Sequence, residues 1–235
     1  MIRHFYRKLA AGFALFTLEL IFVMAVFLAC VLVFLYVSAQ VVEASGPIKF
    51  DEAAFSVAAD LQSTGFTQFI EFITFFASRH FMTAAALLLI AYFLFVRKHR
   101  WYSLKVPVVA LGSILLNLVL KFFFDRQRPT MPLVEASGLS FPSGHSMIAA
   151  SFYSLIIYLT WRHVKNKPLR YFLVSLLVIF ILLIGFSRIY LRVHFATDVV
   201  AGFAAGILWV IIGIWLLRRI EKYTRKEIVP VVEED

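Results

Sequence analysis

Residues 187–198, with the sequence SRIYLRVHFATD, concentrate polar side chains between two apolar segments. His194 and Asp198 are four residues apart, so they share one face if this segment is helical. A carboxylate bonded to one ring nitrogen fixes the tautomer of a histidine and leaves the other nitrogen basic, as in a hydrolase triad. The spacing therefore predicts that His194 is a nucleophile or base and that Asp198 orients it.

Basic residues close to this chemistry predict a phosphate site. Lys121, Arg126 and Arg128 lie where one apolar segment ends. Arg188 lies where another one ends. The donor fork of arginine matches the oxygens of a tetrahedral phosphate, and lysine adds a compact positive charge. We therefore expect these cations to form part of a phosphate cradle.

The tripeptide Ser143-Gly144-His145 begins a further apolar segment. Free backbone N–H groups and the helix dipole favour an anion at a helix N-terminus. Gly144 lets the backbone come close to that anion because it has no side chain to obstruct it. His145 is then placed to protonate the leaving oxygen. This segment is expected to complete the cradle.

Four further polar residues have roles that the sequence leaves open. Arg126 and Arg192 are open between a second phosphate or headgroup contact and an ordinary interfacial charge. Asn117, one turn before Lys121, is open between supporting the site and bonding a neighbouring helix. Glu19 lies inside the first apolar segment, where a carboxylate usually faces a partner or a cavity.

The site is expected to use neither a metal ion nor a cofactor. Asp125, Glu135 and Asp198 are the carboxylates near the motifs, too few for a magnesium or two-metal site. Cys30 is the single cysteine, which allows no internal disulfide and no cysteine-based metal site.

Composition predicts an integral membrane protein. Of the 235 residues, 62% are hydrophobic and 16% are charged, whereas soluble domains average about 45–50% and about 25%. About 20 apolar residues cross a bilayer as a helix. We expect an all-α polytopic fold, with residues 1–235 forming one membrane domain of six transmembrane helices. The predicted spans are residues 9–39, 81–96, 102–124, 144–160, 171–186 and 199–217.

Residues 41–79 are more polar than the predicted spans on either side. Apolar residues recur there at helical spacing, which predicts short amphipathic helices at the membrane interface. The alternative is that the apolar residues of 66–76 lengthen the next transmembrane helix. As amphipathic helices, residues 48–78 would cover the entrance for a lipid tail.

The distribution of lysine and arginine predicts the orientation in the membrane. Sixteen of the 23 basic residues lie at the two termini and in the loops on the same side, which should therefore be cytoplasmic. The net charge of +9 is then mostly a topology signal, and no nucleic-acid partner is expected. The polar clusters fall on the opposite, extracytoplasmic face of the cell membrane.

The clusters form a three-part pattern. It reads Lys121-x6-Arg128-Pro129, then Pro142-Ser143-Gly144-His145, then Ser187-Arg188-x5-His194-x3-Asp198. This pattern closely resembles the signature of the type-two phosphatidic acid phosphatase superfamily, with no departure inside the motifs. The resemblance covers residues 80–217.

The resemblance implies a membrane phosphatase that needs no divalent metal and forms a phosphohistidine intermediate. It assigns the attack on phosphorus to His194, the orientation of that ring to Asp198, and protonation of the leaving group to His145. Water then hydrolyses the phosphohistidine. The groups that hold the phosphate are implied to be Lys121, Arg128, Ser143, the backbone of Gly144, and Arg188.

Bacterial members of this superfamily point to phosphatidylglycerophosphate, phosphatidic acid and undecaprenyl pyrophosphate as substrates, and the motifs do not decide among them. Two alternatives stay open: a phosphotransferase with the same intermediate, and a non-catalytic membrane protein that binds lipid headgroups. The second is disfavoured because binding alone needs cations and no nucleophile. The oligomeric state also stays open.

Overall fold

The computed structural model describes residues 2–44 and 46–228, with side chains for residues 18–44 and 46–224. Within these ranges the chain is helical and has no strand, which confirms the all-α prediction. A π-helical turn, Tyr92–Val96, extends the fourth helix. The helices are α1 (Ile2–Glu43), α2 (Lys49–Asp60), α3 (Thr64–Phe75), α4 (Arg79–Ala91), α5 (Arg100–Phe124), α6 (Gly144–His163), α7 (Lys167–Tyr190) and α8 (Ala196–Ile228).

Five helical segments of the described chain are long and apolar enough to cross a membrane. The fourth predicted span, residues 144–160, lies in α6, which has 20 residues but is not among the five. Because α6 packs against α5, α7 and α8, its Ser146 and Ser151 side chains are fully buried between helices. The five segments are Leu18–Glu43, Arg79–Val96, Arg100–Phe124, Lys167–Tyr190 and Ala196–Thr224.

Small residues let α6 and α8 approach closely. Gly202 and Gly206 are four residues apart on α8, and a Cβ added at Gly206 would stand 2.5 Å from the backbone oxygen of Met147. The Ser151 hydroxyl on α6 contacts the carbonyl oxygen of Gly206 at 3.1 Å and the hydroxyl of Ser113 on α5 at 2.9 Å. Such close backbone packing is typical of membrane helices, which have little hydrophobic driving force between them.

Two 12-residue helices, α2 and α3, occupy the segment predicted to hold short amphipathic helices. The buried residues of α2, Asp51 and Ala58, lie on one of its faces, and α2 contacts α7 and α8. α3 packs against α7, where the hydroxyls of Thr67 and Tyr190 are 2.8 Å apart. α2 and α3 therefore pack against the ends of α7 and α8 that carry the third motif.

α3 does not lengthen the next span, which was the alternative for this segment. A turn at residues 76–78 separates α3 from α4. Ser78 caps α4, because its side chain accepts a hydrogen bond from the backbone N–H of Phe81 at 3.3 Å. A capped N-terminus satisfies orphan donors and marks the true beginning of a helix.

The end of α5 and the start of α6 are connected by a loop that carries the first two motifs. α5 ends before Asp125, which has a left-handed φ of 45°. The backbone N–H of Ser140 donates to the carbonyl of Arg126 at 2.7 Å, and that of Ser143 donates to the carbonyl of Asp198 at 2.9 Å. These bonds bring all three motifs to one end of the bundle.

Candidate active site

His194 is buried, with 1% of its surface exposed, in the turn between α7 and α8. α8 begins at Ala196, so His194 lies before the helix and Asp198 lies in its first turn. The two residues therefore do not share a helical face, which the spacing predicts only for a helical segment. The Asp198 carboxylate instead turns back over the first turn of α8 and accepts a hydrogen bond from Phe195 N at 2.9 Å. Its Oδ2 lies 3.5 Å from His194 Nδ1, so the predicted partners are together by a different local geometry.

Ser140 lies between these two side chains, although no sequence pattern singled it out. Its hydroxyl donates a hydrogen bond to Asp198 Oδ2 at 2.5 Å and lies 3.3 Å from His194 Nδ1. The direct separation of 3.5 Å between ring and carboxylate is longer than an ordinary N–H···O hydrogen bond. Ser140 therefore gives the closer polar connection between His194 and Asp198.

Arg128 determines the tautomer of the His194 ring. Arg128 Nη1 lies 3.2 Å from His194 Nε2, and a guanidinium donates hydrogen bonds but accepts none. Nε2 therefore carries the lone pair, and Nδ1 carries the proton that faces Ser140 and Asp198. A neutral imidazole whose lone pair faces a cation is suited to attack an anion held by that cation.

Burial also keeps the His194 ring neutral. It lowers the pKa of His194 to about 4, and the nearby Asp198 carboxylate only partly opposes this effect. Burial lowers the pKa of Arg128 as well, but a guanidinium stays charged in proteins. Near neutral pH the site therefore combines an unprotonated ring with a charged guanidinium.

Backbone carbonyls hold the two cations of the first motif. Lys121 Nζ, at the end of α5, donates hydrogen bonds to the carbonyl oxygens of Leu139 and Ser140. The hydrogen-bond partners of both cations are neutral groups, and the negative charge that acts on them is that of Asp198. Arg128 donates to the carbonyl oxygens of Ser137, Gly138 and Val193.

Arg188, at the end of α7, is 7% exposed. Its Nη1 donates a hydrogen bond to Thr74 Oγ1 on α3 at 2.7 Å. Its Nε is buried and has no hydrogen-bond partner within the described part of the chain. Arg188 interacts electrostatically with Arg128. The two arginines thus concentrate positive charge near His194.

The second motif begins α6 as expected. Ser143 is fully buried, and its Oγ accepts from the backbone N–H of Ser146 at 3.4 Å. A Cβ added at Gly144 would stand 3.1 Å from Asn117 Oδ1. Asn117 Nδ2 donates to the carbonyl of Pro142 at 3.2 Å. Asn117 Nδ2 also lies 3.6 Å from Met147 Sδ on α6, so its contacts are compatible with both of its open roles.

His145 is half-buried in the first turn of α6. It interacts electrostatically with His194, Arg188, Arg128 and Lys121. The structure thus places the predicted acid among the same side chains as the predicted nucleophile.

The two arginines with open roles are placed differently. Arg126 Nη1 donates to Asp198 Oδ1 at 2.7 Å, and its Nη2 donates to Asp51 Oδ2 at 3.1 Å. Arg126 therefore binds two carboxylates, a role that the sequence did not indicate. Arg192 has a left-handed φ of 53° and lies over the ring of Phe55 on α2, 5.4 Å from its centroid. Its contact is with α2 and not with His194.

Sequence reasoning missed Asp51, Thr74, Ser140 and Thr197. Asp51 had one usable signal: it lies seven residues before Ala58, on the same helical face, although that face is otherwise apolar. A carboxylate on the apolar face of an amphipathic helix indicates a buried partner. The other three gave no local signal, because their partners are distant in the sequence.

Within the described side chains, no group of three or more His, Cys, Asp or Glu residues comes together as a possible metal site. Glu19 is exposed on α1. Neither observation adds a residue to the site.

A family model named the PAP2 superfamily matches residues 102–222, a range that contains all three motifs. The chain belongs to the PAP2 superfamily. A phosphatidylglycerophosphatase B of Bacillus subtilis is 37% identical to this chain over 163 residues. The match covers 67% of this chain and 78% of that protein. A putative undecaprenyl-diphosphatase of Escherichia coli is 25% identical over 168 residues, covering 65% and 80% respectively.

The PAP2 chain also resembles a solved structure. This is a transmembrane PAP2 type phosphatidylglycerolphosphate phosphatase from Bacillus subtilis, with a TM-score of 0.75 and 31% identity. The match covers 84% of this chain and 98% of the other. Family, fold and apolar helices together identify a multi-pass membrane phosphatase.

Proposed function

We propose that this PAP2 protein removes the terminal phosphate of membrane lipid phosphates without a metal ion, through a phosphohistidine on His194. The observation that carries the proposal is the neutral His194 ring, whose Nε2 faces Arg128 while Nδ1 faces Ser140 and Asp198. A nucleophile held in one tautomer in front of a cation fits attack on a phosphoryl group.

The reaction proceeds in two displacements at phosphorus. In the first, His194 Nε2 forms a bond to phosphorus while the bond from phosphorus to the lipid oxygen breaks. His145 gives a proton to that oxygen, and the negative charge of the bound phosphate favours the protonated form of its ring. In the second, water attacks the phosphorus and gives a proton to the now neutral His145, while the bond from phosphorus to His194 Nε2 breaks. Inorganic phosphate leaves, and both histidines are restored for the next turnover.

The charges around His194 stabilise the phosphoryl group during both displacements. Lys121, Arg128 and Arg188 approach it from α5, the loop after α5, and α7. Donors that are already held in place need no reorganisation when charge develops on the phosphoryl oxygens. Ser143 and the Gly144 backbone add donors from the N-terminus of α6, where the helix dipole favours an anion.

The substrate is proposed to be a lipid because the site lies at one end of an apolar bundle. A headgroup can then reach His194 while the tail stays in the bilayer. Phosphatidylglycerophosphate is the first candidate, since the relative with 37% identity is named for that activity. Undecaprenyl pyrophosphate and phosphatidic acid are the next candidates, and both present a terminal phosphate to the same cations.

The topology belongs to the same proposal. α6 makes a sixth crossing inside the ring of α5, α7 and α8, both termini are cytoplasmic, and residues 1–235 form one membrane domain. The end of the bundle with His194 then faces the extracytoplasmic side. The lysine and arginine distribution supports this orientation.

The proposal is tested by phosphate release from the purified protein in detergent with EDTA present. Phosphatidylglycerophosphate, phosphatidic acid and undecaprenyl pyrophosphate are compared by kcat/KM. Wild type should release phosphate, and His194→Ala should reduce the rate to background. His80→Ala is the matched control, because His80 is exposed on α4 and outside the motifs.

Three results would contradict parts of this account. Release that survives His194→Ala excludes the assigned nucleophile. Labelled phosphate that appears on an added alcohol in preference to water identifies a phosphotransferase. Binding of lipid phosphates by wild type without any release identifies a non-catalytic headgroup-binding protein.

A further inference from the structure

Asp51 is a fully buried carboxylate on α2, outside every motif of the superfamily pattern. A buried charge is retained only when it is paired and hydrogen-bonded. The neighbouring Glu52 is exposed on the same helix. The two acidic residues thus differ in environment while sharing the same helix and charge.

The partners of Asp51 lie beside the catalytic turn. Its Oδ1 accepts from the backbone N–H of Thr197 and from the Thr197 hydroxyl, both at 2.9 Å. Its Oδ2 accepts from Arg126 Nη2 at 3.1 Å. Thr197 is in the first turn of α8, where backbone N–H groups lack partners inside the helix. Asp51 therefore caps α8 from another helix.

Arg126 links Asp51 to Asp198. While Nη2 binds Asp51, Nη1 donates at 2.7 Å both to Asp198 Oδ1 and to Thr197 Oγ1. The guanidinium is planar, so fixing one amino group on α2 also fixes the direction of the other. The Arg126 guanidinium also lies over the ring of Phe195, 4.1 Å from its centroid. Arg126 is thus held on three sides.

Asp198 has each carboxylate oxygen assigned to a different neighbour. Oδ1 takes the bond from Arg126, which leaves Oδ2 for Ser140 and for the approach to His194. Loss of the Arg126 bond would free the carboxylate to rotate away from this arrangement. The orientation of His194 therefore depends on a chain of contacts that begins on α2.

We propose that Asp51 is a positioning residue for the reaction, which acts through Arg126 and the first turn of α8 to hold Asp198 against His194. The inference rests on the proposed function, because it needs His194 as the nucleophile. It also assigns α2 a part in the chemistry in addition to any part in covering the site.

The test compares Asp51→Asn with Glu52→Gln in the phosphate-release assay. Asp51→Asn should lower kcat by about 10- to 100-fold, since small displacements of a reacting group have effects of this size. KM should stay within about twofold of wild type, because the phosphate-binding cations are untouched. Glu52→Gln removes the same charge from the same helix and should keep wild-type kcat.

A double-mutant cycle identifies the route of the effect. If Asp51 acts partly through Arg126, Asp51→Asn combined with Arg126→Gln should lower kcat by clearly less than the product of the two single effects. Arg126→Lys is the second variant, in case Asp51→Asn does not fold. It keeps the charge but loses the planar fork, and kcat should again fall while KM stays near wild type.

Folded protein is monitored by size exclusion and thermal unfolding in detergent. The inference is overturned if folded Asp51→Asn has the kcat of Glu52→Gln, if KM rises in place of the fall in kcat, or if the two substitutions are additive. Full kcat in Arg126→Lys would overturn it too. Wild type and His194→Ala are measured alongside: an inactive wild type or an active His194→Ala contradicts the proposed function itself.

Discussion

The Ser140 hydroxyl connects the side chains of His194 and Asp198. It accepts from the Nδ1–H of His194 at 3.3 Å and donates to Asp198 Oδ2 at 2.5 Å. A hydroxyl is suited to this place because it can donate and accept at once. Ser140 thus transmits the orientation of the carboxylate to the ring.

Replacing Ser140 with alanine should therefore weaken catalysis without removing it. We expect kcat of Ser140→Ala to fall about tenfold, because one hydrogen bond of about 1 kcal/mol or somewhat more is lost around a buried charge. Asp198 keeps its bonds to Arg126 and Phe195 N, so some orientation survives. Ser56→Ala, at an exposed position on α2, is the control. Unchanged kcat in Ser140→Ala would show that the ring is held without the hydroxyl.

The depressed pKa of His194 predicts a specific dependence of stability on pH. In the unfolded chain the ring takes up a proton below about pH 6.5, whereas in the folded chain it does so only below about 4. Between these values the unfolded state binds more protons, so the free energy of unfolding falls as pH falls, by at most about 1.4 kcal/mol per unit.

His194→Gln isolates this contribution because glutamine is uncharged at every pH. The difference in Tm between wild type and His194→Gln should shift in favour of the variant as pH decreases from 7 to 5. Thermal unfolding in detergent at several pH values measures it. A constant difference over this range would mean that the folded protein binds the proton as readily as the unfolded chain.

Among the helices, the contact between α6 and α8 determines how the second and third motifs face each other. Gly206 stands against the backbone of Met147, and Ser143 N binds the carbonyl of Asp198. A larger residue at Gly206 would push the helices apart at a point where backbone blocks the added atom. The spacing between Ser143 and His194 would then change.

Gly206→Ala should accordingly destabilise the protein by about 1–3 kcal/mol, since overpacking a tight contact has effects of this size. For a chain of this length that corresponds to a fall in Tm of several degrees. Gly213→Ala is the matched control on the same helix, where an added Cβ meets its nearest atom at 3.7 Å. An equal Tm for the two variants would show that the close approach at Gly206 is not needed.

The elements were predictable to different degrees. The helices over residues 102–124 and 171–186 could be predicted from the sequence, because a helix that faces lipid must be apolar along its whole length. α6 was predicted as a further apolar segment, but it is buried among other helices and is not apolar enough to count among the five candidate spans. The amphipathic pattern indicated α2 and α3, but their docking on α7 and α8 depends on contacts between residues far apart in the chain.

The same distinction holds for the site. The motif residues were recognisable because their spacing is fixed by helix ends at one end of the bundle. Asp51, Thr74 and Ser140 reach the site across sequence separations of 146, 114 and 54 residues. No local pattern records such pairings, and only the folded structure reveals them.

In the proposed topology of the whole molecule, the loop after α5 lies outside the cell and the loop between α6 and α7 lies inside. This is tested in a Cys30→Ala background with single cysteines at two exposed positions, Glu135→Cys and Lys165→Cys. A membrane-impermeant thiol reagent added to intact cells should label Glu135→Cys alone. Labelling of Lys165→Cys alone would invert the topology and move the site to the cytoplasmic face.

The central claim is that His194 carries the phosphoryl group between the lipid and water. It is tested most directly by rapid quench of wild-type turnover at alkaline pH, followed by mass spectrometry of the peptide that contains His194. The account predicts an acid-labile phosphoryl group on His194 that forms and decays at the rate of turnover and is absent in His194→Ala. Turnover without any phosphorylated His194, or with the phosphoryl group on another residue, would contradict it.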